Sequence, residues 1–175
     1  MIQQRTEFRF LIDKYILENI HIIPKDIIII DYYLEREKRI RYIKKYPNIL
    51  QENTFHLIEV SPGCIYKYPT VLEENEAKKL ATWKNVKYLV KKKCIGTSEF
   101  NIGSKSLVEG YIEHIVGEEI VYDPRNLGTH GVKVLDEIHI EFETFDYHQD
   151  RLKNLIKPIE IINDGIFDYI EKKVK

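Results

Sequence analysis

The sequence is poor in the residues that would mark several specialised classes of protein. It has two cysteines, one methionine and one tryptophan in 175 residues. Two thiols cannot frame a disulfide-stapled scaffold, and Cys64 and Cys94 form neither a CxxC pair nor a Cys/His spacing, which argues against structural zinc. Reduced thiols fit a cytoplasmic or otherwise intracellular chain. Charge of one sign is also lacking: the formal net charge is −1. Such a balance supplies no whole-molecule field toward nucleic acid, although a local basic channel is compatible with it. The isoleucine run 27–30 is far too short to span a bilayer, and the N-terminus does not read as a signal peptide, so no membrane partner is expected. Gly128-Thr129-His130-Gly131 lacks the Gly-Lys-Ser/Thr ending of a P-loop. Repeats, low-complexity tracts and an interdomain linker are absent. A hydrophobic content of 43% is that of a folded chain with enough material for one sizeable core. The expectation is a single domain over residues 1–175, with a long hairpin or loop around 117–135.

What is present is alternation. Glu137-Ile138-His139-Ile140-Glu141-Phe142-Glu143 puts Glu137, His139, Glu141 and Glu143 on one side of a strand and the apolar residues on the other. Three carboxylates on one face of a short strand repel one another unless water, cations or basic side chains lie over them. The same period appears in residues 5–12, where Arg5, Glu7 and Arg9 oppose Thr6, Phe8 and Phe10. It recurs in 27–34, with Asp31 and Tyr33 on one side, and in Arg39-Ile40-Arg41-Tyr42. Further strands are predicted over 55–60, 65–72, 86–93 and 107–115, with a turn or mobile connection over 96–106. Helical spacing appears in 73–83, where Ala77, Leu80 and Ala81 share a face, and again in 149–156 and 166–174. The count is about seven or eight strands with few helices, an α+β chain dominated by antiparallel sheet.

Several strands thus carry an apolar side and a charged side. If the sheet curls so that charged sides converge, Arg and Lys can hold a polyphosphate by charge-assisted hydrogen bonds. Carboxylates can hold Mg²⁺ or Mn²⁺, which prefer oxygen ligands, and the metal can orient water at a phosphoryl group.

In order along the chain, Glu7-Phe8-Arg9, Asp31-Tyr32-Tyr33-Leu34, Arg39-Ile40-Arg41, Lys91-Lys92-Lys93 and His139-Ile140-Glu141-Phe142 resemble the strand motifs of the CYTH superfamily, the triphosphate tunnel metalloenzymes. The resemblance implies a closed antiparallel β barrel or tunnel with a few peripheral helices. It implies phosphate contacts from Arg9, Arg39, Arg41, Lys91 and Lys93. Catalytic and metal-binding roles would fall to Glu7, Glu141 and Glu143, with His139 a further metal ligand. Departures thin the acidic set: Arg5 and His139 replace glutamates, Glu59 falls near the usual lysine of a middle strand, and the Arg-x-Glu-x-Glu strand has no clear counterpart. Two functions follow as expectations. One is a metal-dependent triphosphate phosphohydrolase acting on an RNA 5′-triphosphate, a nucleoside triphosphate or inorganic tripolyphosphate. The other is a noncatalytic phosphate-binding module or structural subunit with a protein partner, and adenylyl cyclase chemistry is a third branch.

Overall fold

A computed structural model of the chain describes residues 5–61, 65–66, 69–125 and 128–175. Cys64 lies outside them. Ten strands follow in order: β1 (Arg5–Leu11), β2 (Ile23–Glu35), β3 (Lys38–Lys45), β4 (Thr54–Ser61), β5 (Ile65–Tyr66), β6 (Thr70–Leu72), β7 (Tyr88–Gly103), β8 (Ser106–Asp123), β9 (Gly128–Phe145) and β10 (Glu160–Ile162). The helices are α1 (Glu74–Leu80), α2 (Gln149–Ile156) and α3 (Ile166–Val174). The strands make a large antiparallel sheet ordered β10-β1-β9-β8-β7-β2-β3-β4-β5, with β6 also paired to β4.

This sheet is not closed into a barrel. Closure would require its two end strands to bond each other, yet β10 and β5 stand at opposite ends of the order. They span three and two residues, the length at which an edge offers little template for further pairing. The tunnel implied by the CYTH resemblance is therefore overturned, and with it the assignment of a CYTH domain.

The chain divides into two compact units. The first comprises residues 1–26, 94–114 and 137–165. Its core gathers Phe8, Phe10, Phe100, Ile112, Ile140, Phe142, Leu152 and Ile156, all buried. The register explains the cluster: Phe8 lies opposite Phe142 and Phe10 opposite Ile140 across β1 and β9. The ring centroids of Phe8, Phe10 and Phe142 stand 5.3–5.5 Å apart, a spacing that adds to simple area burial. Helix α2 contributes its apolar stripe through Leu152 and Ile156, and Lys157, at φ 55°, ends it in the left-handed region.

The second unit comprises residues 27–93, 115–136 and 166–175. Within it α3 packs Phe167 against Tyr33 and Tyr88, at 5.8 and 5.3 Å between centroids. Ile40 and Ile170 are fully buried.

The stretch 96–106, expected as a turn, is instead mostly strand: β7 runs to Gly103, and the turn is confined to Ser104 and Lys105, both at positive φ. Small residues here serve close packing. A Cβ on Gly96 would meet Ile23 O at 2.7 Å, and Thr97 and Ser98 are buried, with Ser98 Oγ donating to His21 O at 2.7 Å. The expected hairpin around 117–135 is formed by the end of β8 and the start of β9.

Gly110 makes the other close approach. A Cβ there would lie 2.6 Å from Ile140 Cγ2 and 2.7 Å from Phe142 Cε1. Gly110→Ala should therefore destabilise the protein by about 1–3 kcal/mol through overpacking. Gly165→Ala, where a Cβ meets nothing within 4 Å, should stay within about 0.5 kcal/mol of the parent. Urea unfolding of the pair checks both.

Candidate anion site

The hairpin of β2 and β3 places Asp31 opposite Arg41 and Tyr33 opposite Arg39. Because i and i+2 share a face, these four side chains form one patch. Arg41 grips the Asp31 carboxylate with both ends of its fork: Nε donates to Oδ1 at 2.9 Å and Nη2 to Oδ2 at 3.0 Å. Lys92 Nζ reaches Oδ2 at 3.2 Å from β7. Arg39 donates from Nη1 to the Tyr33 hydroxyl at 3.2 Å, and its Nε stands 3.8 Å from Asp31 Oδ2, beyond hydrogen-bond range. Three cations are thus gathered on one carboxylate that is fully buried.

The charge state follows from this geometry. Burial alone would raise the Asp31 carboxyl, but Lys92, Arg41 and Arg39 outweigh it and hold it well below the ordinary 3.8. His56 faces Arg41 across β3 and β4. Burial first and the Arg41 charge second push its imidazole below the usual range. Arg39 and Arg41 keep 17% and 24% of their side-chain surface, so the patch is not sealed from solvent. The Nε of Arg39 is buried and has no hydrogen-bond partner among the described residues. A buried guanidinium N–H without an acceptor costs on the order of 1–3 kcal/mol.

The remaining expected site residues fall elsewhere. Lys91 and Lys93 are exposed, whereas Lys92 is buried. The parity of β7 decides this, because Tyr88, Val90 and Cys94 are buried on the same alternation as Lys92. That apolar spacing is visible in the sequence and would have singled out Lys92 over its neighbours.

Arg9, Glu7, Glu141 and Glu143 belong to the first unit. There Arg9 is held between two carboxylates: Nη1 donates to Glu113 Oε1 at 2.7 Å and Nη2 to Glu141 Oε2. Its guanidinium and Glu141 are therefore engaged with each other, and Glu113, which the pattern did not mark, completes the triplet. Glu7 and Glu143 are exposed and sit directly opposite one another across β1 and β9, a like-charge pair that disfavours close approach. His139 is fully buried, its Nε2 3.0 Å from Glu137 Oε1. Burial holds its imidazole below the usual range, against the opposing pull of Glu137. Burial likewise pushes the Cys94 thiol up to about 11, which leaves it a poor nucleophile at neutral pH.

Among the described residues no group of three or more His, Cys, Asp or Glu side chains is placed to hold a metal ion. Of the residues expected to hold Mg²⁺ or Mn²⁺, Glu141 is turned onto Arg9 and His139 onto Glu137, while Glu7 and Glu143 are exposed. Among the described residues, too, no helix is long and apolar enough to cross a membrane. No family model, curated protein or solved structure matches the chain.

The Asp31 cluster has a measurable acid signature. A depressed carboxyl contributes stability that is complete above its unfolded value, near 3.8, and is lost as pH falls through the lower folded value. Asp31→Asn should cost about 3–5 kcal/mol at neutral pH, since it leaves three cations facing one another. It should also flatten the acid limb of the stability–pH curve below about pH 4. Chemical denaturation from pH 2 to 8 checks both.

Proposed function

We propose that this protein binds a phosphate-bearing anion at the Asp31 cluster, with Arg39 as the principal contact and Arg41 and Lys92 supplying the surrounding positive potential. The observation that carries the reading is the gathering of three cations on one carboxylate that Arg41 and Lys92 already claim, with Arg39 and Arg41 keeping part of their side-chain surface open to solvent. Asp31 accepts both hydrogen bonds of the Arg41 fork and the ammonium of Lys92, so the 3.8 Å gap to Arg39 leaves that guanidinium able to take a further oxyanion. Planar, delocalised guanidinium suits phosphate oxygens better than ammonium does. The role of Asp31 is to hold the cations together before ligand arrives, which reduces the ordering cost of binding. Neutral His56 beside Arg41 adds a polar group without further repulsion.

This is the binding module among the two expectations, without a tunnel and without a metal. Inorganic tripolyphosphate, pyrophosphate and phosphate titrated calorimetrically should bind, and more weakly as salt rises. Arg39→Ala should lower tripolyphosphate affinity by about 10- to 100-fold, the value of one or two charge-assisted hydrogen bonds. Lys91→Ala and Lys93→Ala should change it by less than about twofold, because exposed lysines contribute only screened charge. Absence of measurable binding to all three anions, or equal losses in the Lys91 and Arg39 variants, would defeat the reading.

A further inference from the structure

An arginine side chain that is free in solvent loses rotamer freedom when it takes up a ligand. A guanidinium already held in place therefore binds an oxyanion at lower cost. Asp31 grips Arg41 and Lys92 by direct contact, but it only attracts Arg39, whose Nε stands 3.8 Å from Oδ2. Among the described residues Arg39 makes one hydrogen bond, from Nη1 to the Tyr33 hydroxyl at 3.2 Å. Its guanidinium carbon also lies 5.4 Å from the centroid of the Tyr33 ring, within the range of a cation–π contact. One residue thus supplies both a hydrogen-bond acceptor and an aromatic face to the same cation.

Tyr33 can serve as a fixed support because its own ring is packed. It is buried, and its centroid stands 5.8 Å from that of Phe167 on α3. Phe167 is held in turn: Tyr88 meets it edge-on at 5.3 Å, and Lys87 Nζ stands 5.4 Å from its centroid. The helix is pinned beside these rings, with Glu171 accepting from Lys87 Nζ at 2.9 Å and from Tyr88 Oη at 2.6 Å. A phenylalanine at position 33 would fill the same apolar space. The hydroxyl is the part of Tyr33 that packing does not require, and burying one is costly unless it is bonded. Here it meets a cation that keeps 17% of its side-chain surface.

We infer that Tyr33 is a positioning residue of the anion site, setting the Arg39 guanidinium in place before ligand arrives. The inference rests on the anion-binding reading above and adds to it a residue that acts through Arg39 rather than on the anion.

The test is a double-mutant cycle on the full chain, read by calorimetric titration of tripolyphosphate. Tyr33→Phe should lower affinity about 5- to 10-fold in the parent, the value of one hydrogen bond to a charged group. Thermal unfolding of the variant should stay cooperative, since the ring and its contacts are kept. In the Arg39→Ala background the same substitution should change affinity by less than about twofold, because the group that Tyr33 positions is gone. A merely structural role would give the same loss in both backgrounds. Equal losses in the two backgrounds, or a Tyr33→Phe variant that binds as tightly as the parent or more tightly, would overturn the inference and leave the anion-binding reading standing. A parent that binds neither tripolyphosphate, pyrophosphate nor phosphate would overturn both.

Discussion

A buried carboxylate under three cations is the constraint that organises the β2–β3–β7 region. Asp31 has no access to water, so its charge must be balanced from within. Arg41 and Lys92 provide that balance by direct contact, and in doing so they fix the register of the β2–β3 hairpin as well as the parity of β7. A one-residue slip of either strand would carry a charged group to the wrong face and leave Asp31 bare. The cluster is thus both a specifier of strand pairing and the origin of the positive potential to which a functional role is assigned.

The first unit solves the opposite problem. Arg9 is a lone cation among carboxylates, held by Glu113 and Glu141, above a core of interlocked phenylalanines. Its ion pairs offset the repulsion inherent in a strand that presents Glu137, Glu141 and Glu143 on alternate residues. The chemistry suggested for Glu7, Glu141 and Glu143 required them to converge on a ligand. Their actual engagements are structural where they are buried, and solvent-facing where they are not. Of the residues expected to line one cavity, Arg9 and Glu141 pair with each other in the first unit and Arg41 pairs with Asp31 in the second, while Glu7, Lys91, Lys93 and Glu143 are exposed.

Much of the strand content was legible. The alternation in 5–12, 27–34, 39–42 and 137–143 marks β1, β2, β3 and β9, and the helical spacing in 73–83, 149–156 and 166–174 marks the three helices. Residues 96–106 were misjudged for a clear reason. Gly96, Thr97 and Ser98 resemble turn residues by composition, but their small size serves close approach to Ile23 and His21. Composition cannot distinguish a residue that is small because the chain bends from one that is small because another segment lies against it.

Sequence by itself determined the local period, and hence which side chains share a face: Asp31 with Tyr33, Arg39 with Arg41, and Lys92 with Tyr88, Val90 and Cys94. Side-chain direction in a strand is a property of the backbone pleat and needs no knowledge of neighbours. Only tertiary structure decided that β10 and β5 end an open sheet, that Arg9 belongs to Glu113 and Glu141, and that Asp31 draws in a lysine from β7. Those outcomes depend on which strands become adjacent, and adjacency joins residues as distant as 9 and 113 through the packing of a whole core.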